Sequence, residues 1–359
     1  MDKMADVLGR AGAWCGQNKY LSAIKNAFQN FMPLTIAGAI GVLWCNVLVN
    51  DQTGLGLFFK PIMALDFLNP AFQAVNFCTI SCITVGITLG IAQEIGVWNM
   101  GAERAGYIPG LVGLAAWLSV TNTSHMVDGA KEAFTGIAGN ELGATGLFTG
   151  MIIGVLSVEL FCFFEKQDAL KIKMPEQVPP GVARAFEVLV PATITLIITA
   201  CIGSACYNLT GLYLNDVIKN GIQGPLGAVG ATIPGVMIIY LVIMLFWLVG
   251  IHGNNMLSAV KEALFTPLAL ENVEAFNKGE TPKNIINMYA LQMWGEFGGS
   301  GVTIGLVIAI MIFGKREDNK AIATLSLVPG LFNINETVTF GIPMVLNPIL
   351  GIPFVFACL

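Results

Sequence analysis

Two ionisable side chains stand where few would be tolerated. Glu336 is the only charged residue from position 321 to the last position, 359, and polar side chains adjoin it at Asn333, Asn335 and Thr337. His252, one of 2 histidines, lies between Gly250 and Gly253 directly after the apolar run Ile238 to Val249, and Asn254 and Asn255 follow it. The flanking glycines read as a tight backbone bend that presents the ring. A carboxylate accepts hydrogen bonds and can take up a proton, an imidazole donates and accepts, and an amide offers both functions side by side. Such a set suits a ligand rich in hydroxyl groups, and a sugar fits that description.

The rest of the chain explains why these groups stand out. Its 359 residues include 18 Lys and Arg and 23 Asp and Glu, 11 % charged in all, while 55 % are hydrophobic and the mean hydropathy is +0.72. A soluble domain carries about 25 % charged residues, so this composition predicts a polytopic membrane protein. A charge at the centre of a membrane helix costs about 2.5–3.5 kcal/mol on the insertion scale. Glu94 and Glu159 fall near predicted helix ends and can reach the interface; Glu296, among glycines at the start of a span, reads equally as a cap or a site residue. His125, in a polar loop, reads as a surface residue. The net charge of −5, without a basic stripe, gives nucleic acid no support as a partner. The cysteines, 15, 45, 78, 82, 162, 201, 206 and 358, sit mostly in apolar runs as small hydrophobes. Neither a metal site nor a cofactor is indicated, since P-loop, dinucleotide, zinc-protease and nucleophile-elbow motifs are all missing.

Crossing the hydrocarbon core takes about 20 apolar residues. Stretches of that kind, uncharged but for two glutamates, run from Phe31 to Val49, Phe67 to Gln93, Ala105 to Val127, Leu142 to Phe164 (interrupted by Glu159), Val188 to Asn215, Gly221 to Val260, Phe297 to Gly314 and Ala321 to Leu359 (interrupted by Glu336). Basic residues cluster in the N-terminal segment (Lys3, Arg10, Lys19, Lys25), in a loop (Lys166, Lys171, Lys173, Arg184) and at Lys315, Arg316 and Lys320. Basic loops stay cytoplasmic. Four stretches separate the first two clusters, so both fit inside together with the N-terminus. Only three separate the second from the third, an odd number, so something in the second half does not cross as a plain helix. Residues 251 to 300 are read as a re-entrant hairpin or broken helix, and residues 321 to 347 as a second one with Asn333-Ile334-Asn335-Glu336 at its tip. Irregular backbone at membrane depth persists only where it is buried in protein or lines a cavity.

The expected architecture is all-α: an amphipathic interfacial segment over 1–27, a transmembrane bundle over 28–210, a surface linker helix over 211–227 that ends in a Gly224-Pro225 turn, and a second membrane domain over 228–359.

Four stretches carry a family resemblance: Tyr20-Leu21-Ser22-Ala23-Ile24 with Phe31-Met32-Pro33-Leu34; Met174-Pro175-Glu176-Gln177-Val178-Pro179-Pro180-Gly181-Val182-Ala183-Arg184-Ala185-Phe186; Gly250-Ile251-His252-Gly253; and Leu331 to Glu336 continuing through Phe340-Gly341-Ile342-Pro343 and Leu346-Asn347-Pro348-Ile349-Leu350. In these the chain resembles the membrane-embedded C component of enzyme II of the bacterial sugar phosphotransferase system, in the lactose, cellobiose and diacetylchitobiose group. The resemblance implies a multi-pass protein of the bacterial cell membrane and a homodimer joined through an N-terminal five-helix bundle. It implies a C-terminal bundle with two opposed re-entrant hairpins holding a β-linked disaccharide. His252 and Glu336 would then lie near the 6-hydroxyl, with Asn254, Asn333 and Asn335 as further sugar contacts and Glu336 as general base. The phosphate would come from a phosphocysteine on a separate cytoplasmic B component, so the chain holds no complete catalytic site of its own and needs no cofactor. The basic loop with Lys171, Lys173 and Arg184 reads equally as a docking surface for that partner or as plain positive-inside topology. Two departures stand out. The family usually has proline after the glutamate where this chain has Thr337, which removes a φ constraint. The family also continues beyond Pro353-Phe354, which reads as a truncated C-terminal domain here. The rival reading is a proton-coupled secondary sugar transporter in which Glu336 and His252 relay protons.

Overall fold

The computed structural model describes residues 2–51, 54–125, 133–175, 177–342, 344 and 347–359. Of the positions named above, Val127, Glu176, Pro343 and Leu346 lie outside these, as do the side chains of Lys3, Cys15 and Pro348. The fold is all-helical: among the described residues the sole strands are Ser124–His125 and Phe134–Thr135, paired antiparallel. The chain forms two compact units, Ala23–Gly224 and Met1–Ser22 with Pro225–Leu359.

In the first unit, helices long and apolar enough to cross a membrane are Lys19–Leu48 (from residue 23 on), Ala144–Glu165 and Pro180–Thr210, with Lys60–Ser81 and Ile83–Met100 forming one run bent by 42°. Helices in lipid gain little from apolarity and approach through small residues. Here a Cβ on Gly96 would meet Pro109 at 2.2 Å, one on Gly113 would meet Ala92 at 2.3 Å, and one on Gly150 would meet Thr88 at 2.2 Å. Three glycines thus let Ile83–Met100, Ile108–Val120 and Ala144–Glu165 close around the buried Ile87, Ile91, Trp117 and Leu147.

The linker departs from its expected form. Gly224-Pro225 makes no turn; the chain stays helical from Leu214 through a π turn at Lys219–Gln223 into the helix Gly224–Gly230. The Gly224 N–H reaches back to Lys219 O, so Pro225 enters as an early residue of a new helix, where its missing N–H costs nothing.

The second unit opens with the helix Asp2–Gln17, whose Gly12 sits against the side chains of Ile251 and Phe246. It continues with Ile233–Leu248, Gly253–Asn277, the short turns Met288–Ala290 and Leu291–Gly295, then Thr303–Phe313, Glu317–Leu331, Glu336–Gly341 and Pro348–Phe356. Residues 253–277 form one continuous helix, and the irregular backbone expected within 251–300 follows it, at 278–287 and from 296 on. A cluster of Ile243, Met244, Trp247, Val307, Ala323, Val338, Met344 and Phe354 makes the core of this unit.

A buried carboxylate marks a stability liability in the first unit. Glu141, 8 % exposed, leaves its Oε2 without a hydrogen-bond partner among the described residues. Burial raises its pKa above the ordinary value, with the nearby Asn215 amide and His125 partly offsetting this. His125, expected at the surface, is half-buried, its Nε2 shielded from solvent. A carboxyl whose folded-state pKa is raised contributes stability at low pH that is lost as pH rises through that pKa. Glu141→Gln should therefore raise the Tm at neutral pH by roughly 2–4 °C, the shift about 1 kcal/mol makes in a domain of 150–250 residues. Thermal unfolding in detergent from pH 8 to pH 5 should show this gain shrink toward the acidic end.

Candidate functional site

The second unit builds its polar centre from two helix ends that stop in the same way. The helix Ile233–Leu248 closes with Gly250 at φ +81°, Ile251 N–H donating to Phe246 O at 3.0 Å and Gly250 N–H donating to Trp247 O at 2.9 Å. This is the Schellman pattern, which needs a left-handed residue and favours glycine there. The helix Glu317–Leu331 closes with Asn333 at φ +61°, Ile334 N–H on Pro329 O at 3.1 Å and Asn333 N–H on Gly330 O at 3.0 Å. Asparagine is the non-glycine residue best suited to that conformation. Two residues beyond Gly250 the chain delivers His252; three beyond Asn333 it delivers Glu336.

The two side chains meet: His252 Nε2 lies 3.1 Å from Glu336 Oε1. His252 is also the N-cap of the helix Gly253–Asn277, its Nδ1 accepting from Asn255 N–H at 3.2 Å. An Nδ1 that accepts a hydrogen bond carries no proton, so the ring proton sits on Nε2 and is donated to Glu336. The imidazole packs on the Trp247 ring at 4.4 Å between centroids. Close approach of the two helices forbids a side chain at Gly253, where a Cβ would sit 2.0 Å from Ile243 O. Glu336 Oε2 is buried and has no hydrogen-bond partner among the described residues, and the same holds for the Trp247 indole N–H. The pair thus leaves one carboxylate oxygen able to accept a hydroxyl proton.

A glycine-rich segment, 295–302, lies between the two arms. Gly298, Gly299, Gly301 and Val302 all have φ between +50° and +94°, and a β-branched residue such as Val302 is rarely found there. Asn333 Oδ1 accepts from Gly298 N–H at 2.9 Å, Asn335 Nδ2 donates to Ser300 O at 2.7 Å, and Asn254 Nδ2 donates to Ser300 Oγ at 2.7 Å. The three asparagines expected at the site are therefore present, each with a bond to this segment. Asn333 is exposed and its amide N–H groups make no hydrogen bond among the described residues, whereas Asn335 is buried.

Sequence reasoning passed over Lys261, Ser300 and Tyr240. Lys261 Nζ donates to Asn254 Oδ1 at 2.9 Å and pairs with Glu296 Oε1, which also lies 3.1 Å from the Tyr240 hydroxyl. The lysine and glutamate side chains are 5 % and 12 % exposed. Glu296 is thus an anchoring residue of the site. The signal that could have found Lys261 is its position seven residues, two helical turns, after Asn254, which puts both on one face.

The basic loop lies in the first unit. Arg184 bonds to Glu165 at 2.9 Å and Glu187 at 2.8 Å, and Arg104 bonds to the same two carboxylates at 2.8 and 3.0 Å. Lys171 pairs with Asp168 at 3.1 Å. These charges tie the end of Ala144–Glu165 to the start of Pro180–Thr210. Lys173 is exposed.

Comparison with known proteins bears on this site. The family model "Phosphotransferase system, EIIC" matches residues 25–358. The oligo-beta-mannoside-specific EIIC component of Bacillus subtilis (strain 168) is 32 % identical over 360 residues, covering 99 % of this chain and 78 % of that protein. The cellobiose-specific EIIC component of Lactococcus lactis subsp. lactis (strain IL1403) is 29 % identical over 413 residues, covering 99 % and 83 %. The crystal structure of the transporter ChbC, the IIC component from the N,N'-diacetylchitobiose-specific phosphotransferase system, superposes with a TM-score of 0.85 at 29 % identity, covering 96 % of this chain and 79 % of that one.

The glycine segment yields a direct test. A Cβ at Gly299 (φ +94°) would sit 2.5 Å from Asn335 Cβ, whereas one at Gly279 (φ +75°) would meet nothing within 4 Å. Both substitutions to alanine carry a backbone strain of about 1–3 kcal/mol, and only Gly299→Ala adds the clash. Thermal unfolding should place Gly299→Ala below Gly279→Ala by at least about 2 °C, on the few-degrees-per-kcal/mol scale of domains this size.

Proposed function

The chain belongs to the phosphotransferase system EIIC family, and from that premise we propose that its His252–Glu336 pair receives the reacting hydroxyl of a β-linked disaccharide. As an EIIC component it is a membrane permease subunit that translocates sugar and works with a B component. The finer assignment is to a disaccharide of the cellobiose, chitobiose or lactose class, and the names of its relatives support that class.

The observation that carries the reading is the bonding of Glu336. His252 holds Oε1 through Nε2–H, and Oε2 is left as the acceptor for the sugar 6-hydroxyl. When the phosphorylated cysteine of the B component approaches, the hydroxyl oxygen attacks phosphorus, the S–P bond breaks, and the hydroxyl proton passes to Glu336. A general base must lie within hydrogen-bond reach of the proton it takes, and in this reading that atom is Oε2, which His252 leaves unbonded. The open N–H groups of Asn333 suit a neighbouring sugar hydroxyl, while Asn254 and Asn335 stay close to the sugar and hold the glycine segment.

The domain assignment follows the same reading. The bundle over 28–210 makes the homodimer contact, residues 211–227 link it to the sugar-binding domain at 228–359, and residues 1–27 lie along the membrane surface. The N-terminus and the basic loop face the cytoplasm, where positive residues are retained. The B component docks on that loop. Lys166 and Lys173 are exposed there, while Lys171 and Arg184 are already matched by acidic partners and support the loop.

Glu336→Gln keeps an acceptor oxygen for His252 and removes the base. It should lower sugar phosphorylation by at least about 100-fold, the lower end of general-base contributions, while the protein still inserts in the membrane. The assay uses phosphorylated B component with cellobiose, lactose and N,N'-diacetylchitobiose. Activity of the variant at parental rates with whichever sugar the parent accepts would remove Glu336 from the reaction.

A further inference from the structure

Lys261 is too deeply buried to touch a sugar, yet it bonds to both sides of the framework that sets the site. One side is the arm that carries His252: Lys261 donates to Asn254 Oδ1, two residues past the histidine. The other is the glycine segment, which it grips at Glu296. Beyond its own turns, Gly299 N–H on Glu296 O at 2.8 Å and Val302 N–H on Gly299 O at 3.0 Å, that segment has little to fix its shape, since three of its glycines stand in the left-handed region and glycine is the least constrained residue. It must be held from outside, and Ser300 is where both arms take hold. Its hydroxyl accepts from Asn254 and its carbonyl from Asn335, the residue before Glu336.

An ammonium has donors only. Lys261 therefore fixes the Asn254 amide with its oxygen turned inward and its NH2 group toward Ser300, which leaves the Ser300 hydroxyl in the accepting role. The Tyr240 hydroxyl, at 3.1 Å, supports Glu296 from the other side. The connected chain runs from Glu296 to Lys261, Asn254, Ser300, Asn335 and the peptide of Glu336, and His252 stands two residues from one of its links. We infer that Lys261 is a positioning residue that sets the His252–Glu336 contact through Asn254 and Ser300. This rests on the assignment of that pair to the sugar.

The test is a double-mutant cycle, since residues acting through one arrangement are non-additive and independent ones add. Removing Lys261 alone would strand a buried carboxylate, and breaking such a pair is strongly destabilising, whereas replacing both partners by apolar residues is often tolerated. The perturbing variant is therefore Lys261→Met with Glu296→Met. Equilibrium binding is measured on purified full-length protein with whichever of cellobiose, lactose and N,N'-diacetylchitobiose the parent binds best. Four proteins are compared: parent, the Lys261/Glu296 variant, His252→Gln, and the combination. The Lys261/Glu296 variant should keep a Tm within a few degrees of the parent, bind about tenfold more weakly, and show a kcat for phosphoryl transfer that falls more than KM rises. In the His252→Gln background the same change should cost about twofold or less, because no pair is left to position. An equal loss in both backgrounds, or no loss in either, overturns the inference. His252→Gln binding as tightly as the parent overturns the assignment of the pair instead.

Discussion

A carboxylate set inside an apolar bundle has to be given a donor, and the organisation of the second unit follows from how Glu336 gets one. The donor is His252 Nε2–H, and it is available because Nδ1 is occupied by the Asn255 N–H at the start of the helix Gly253–Asn277. A helix cap thereby decides the tautomer of the imidazole, and the tautomer decides which atom faces the carboxylate. Because the bond reaches Oε1 only, the second oxygen has no hydrogen-bond partner among the described residues, and in the proposed function it is the one that takes the substrate hydroxyl.

That bond requires two chain ends to arrive at one place, and the fold brings them there by the same local device used twice. A left-handed residue closes each delivering helix, Gly250 on one arm and Asn333 on the other, and each turn exposes a short polar segment. The arms come from distant parts of the sequence, so their separation cannot be set locally. It is set by the segment 295–302, whose unusual backbone is stabilised by asparagine side chains from both arms and by the buried Lys261–Glu296 pair. Irregular backbone in a membrane bundle needs such internal satisfaction because lipid supplies none.

How much of this the sequence made legible depends on whether a signal was local. Glu336 and His252 stood out because a lone charge in an uncharged stretch and a histidine between glycines are visible without any structure. The membrane fold followed from composition and the long apolar stretches, and the family resemblance from four sequence stretches; the family model matches residues 25–358. Lys261 was not legible. Beside Glu262 it looks like an ordinary charged step on a helix, and its partner Glu296 lies 35 residues away. The Gly224-Pro225 pair misled for the opposite reason: its turn propensity is strong, but a π turn just before it let proline begin a helix. His125 misled too, because its polar neighbourhood in sequence reads as surface while the fold half-buries it and shields its Nε2.

The most direct test of the account is the protonation pattern of the His252 ring. The chain has 2 histidines, so protein labelled with 15N-histidine gives two sets of ring signals, and a His125→Asn variant assigns them. The account predicts that at neutral pH His252 carries its proton on Nε2, with Nδ1 in the unprotonated, hydrogen-bond-accepting range. A His252 ring protonated on Nδ1 and bare on Nε2 would contradict it, since Glu336 would then have lost the donor on which the site is built.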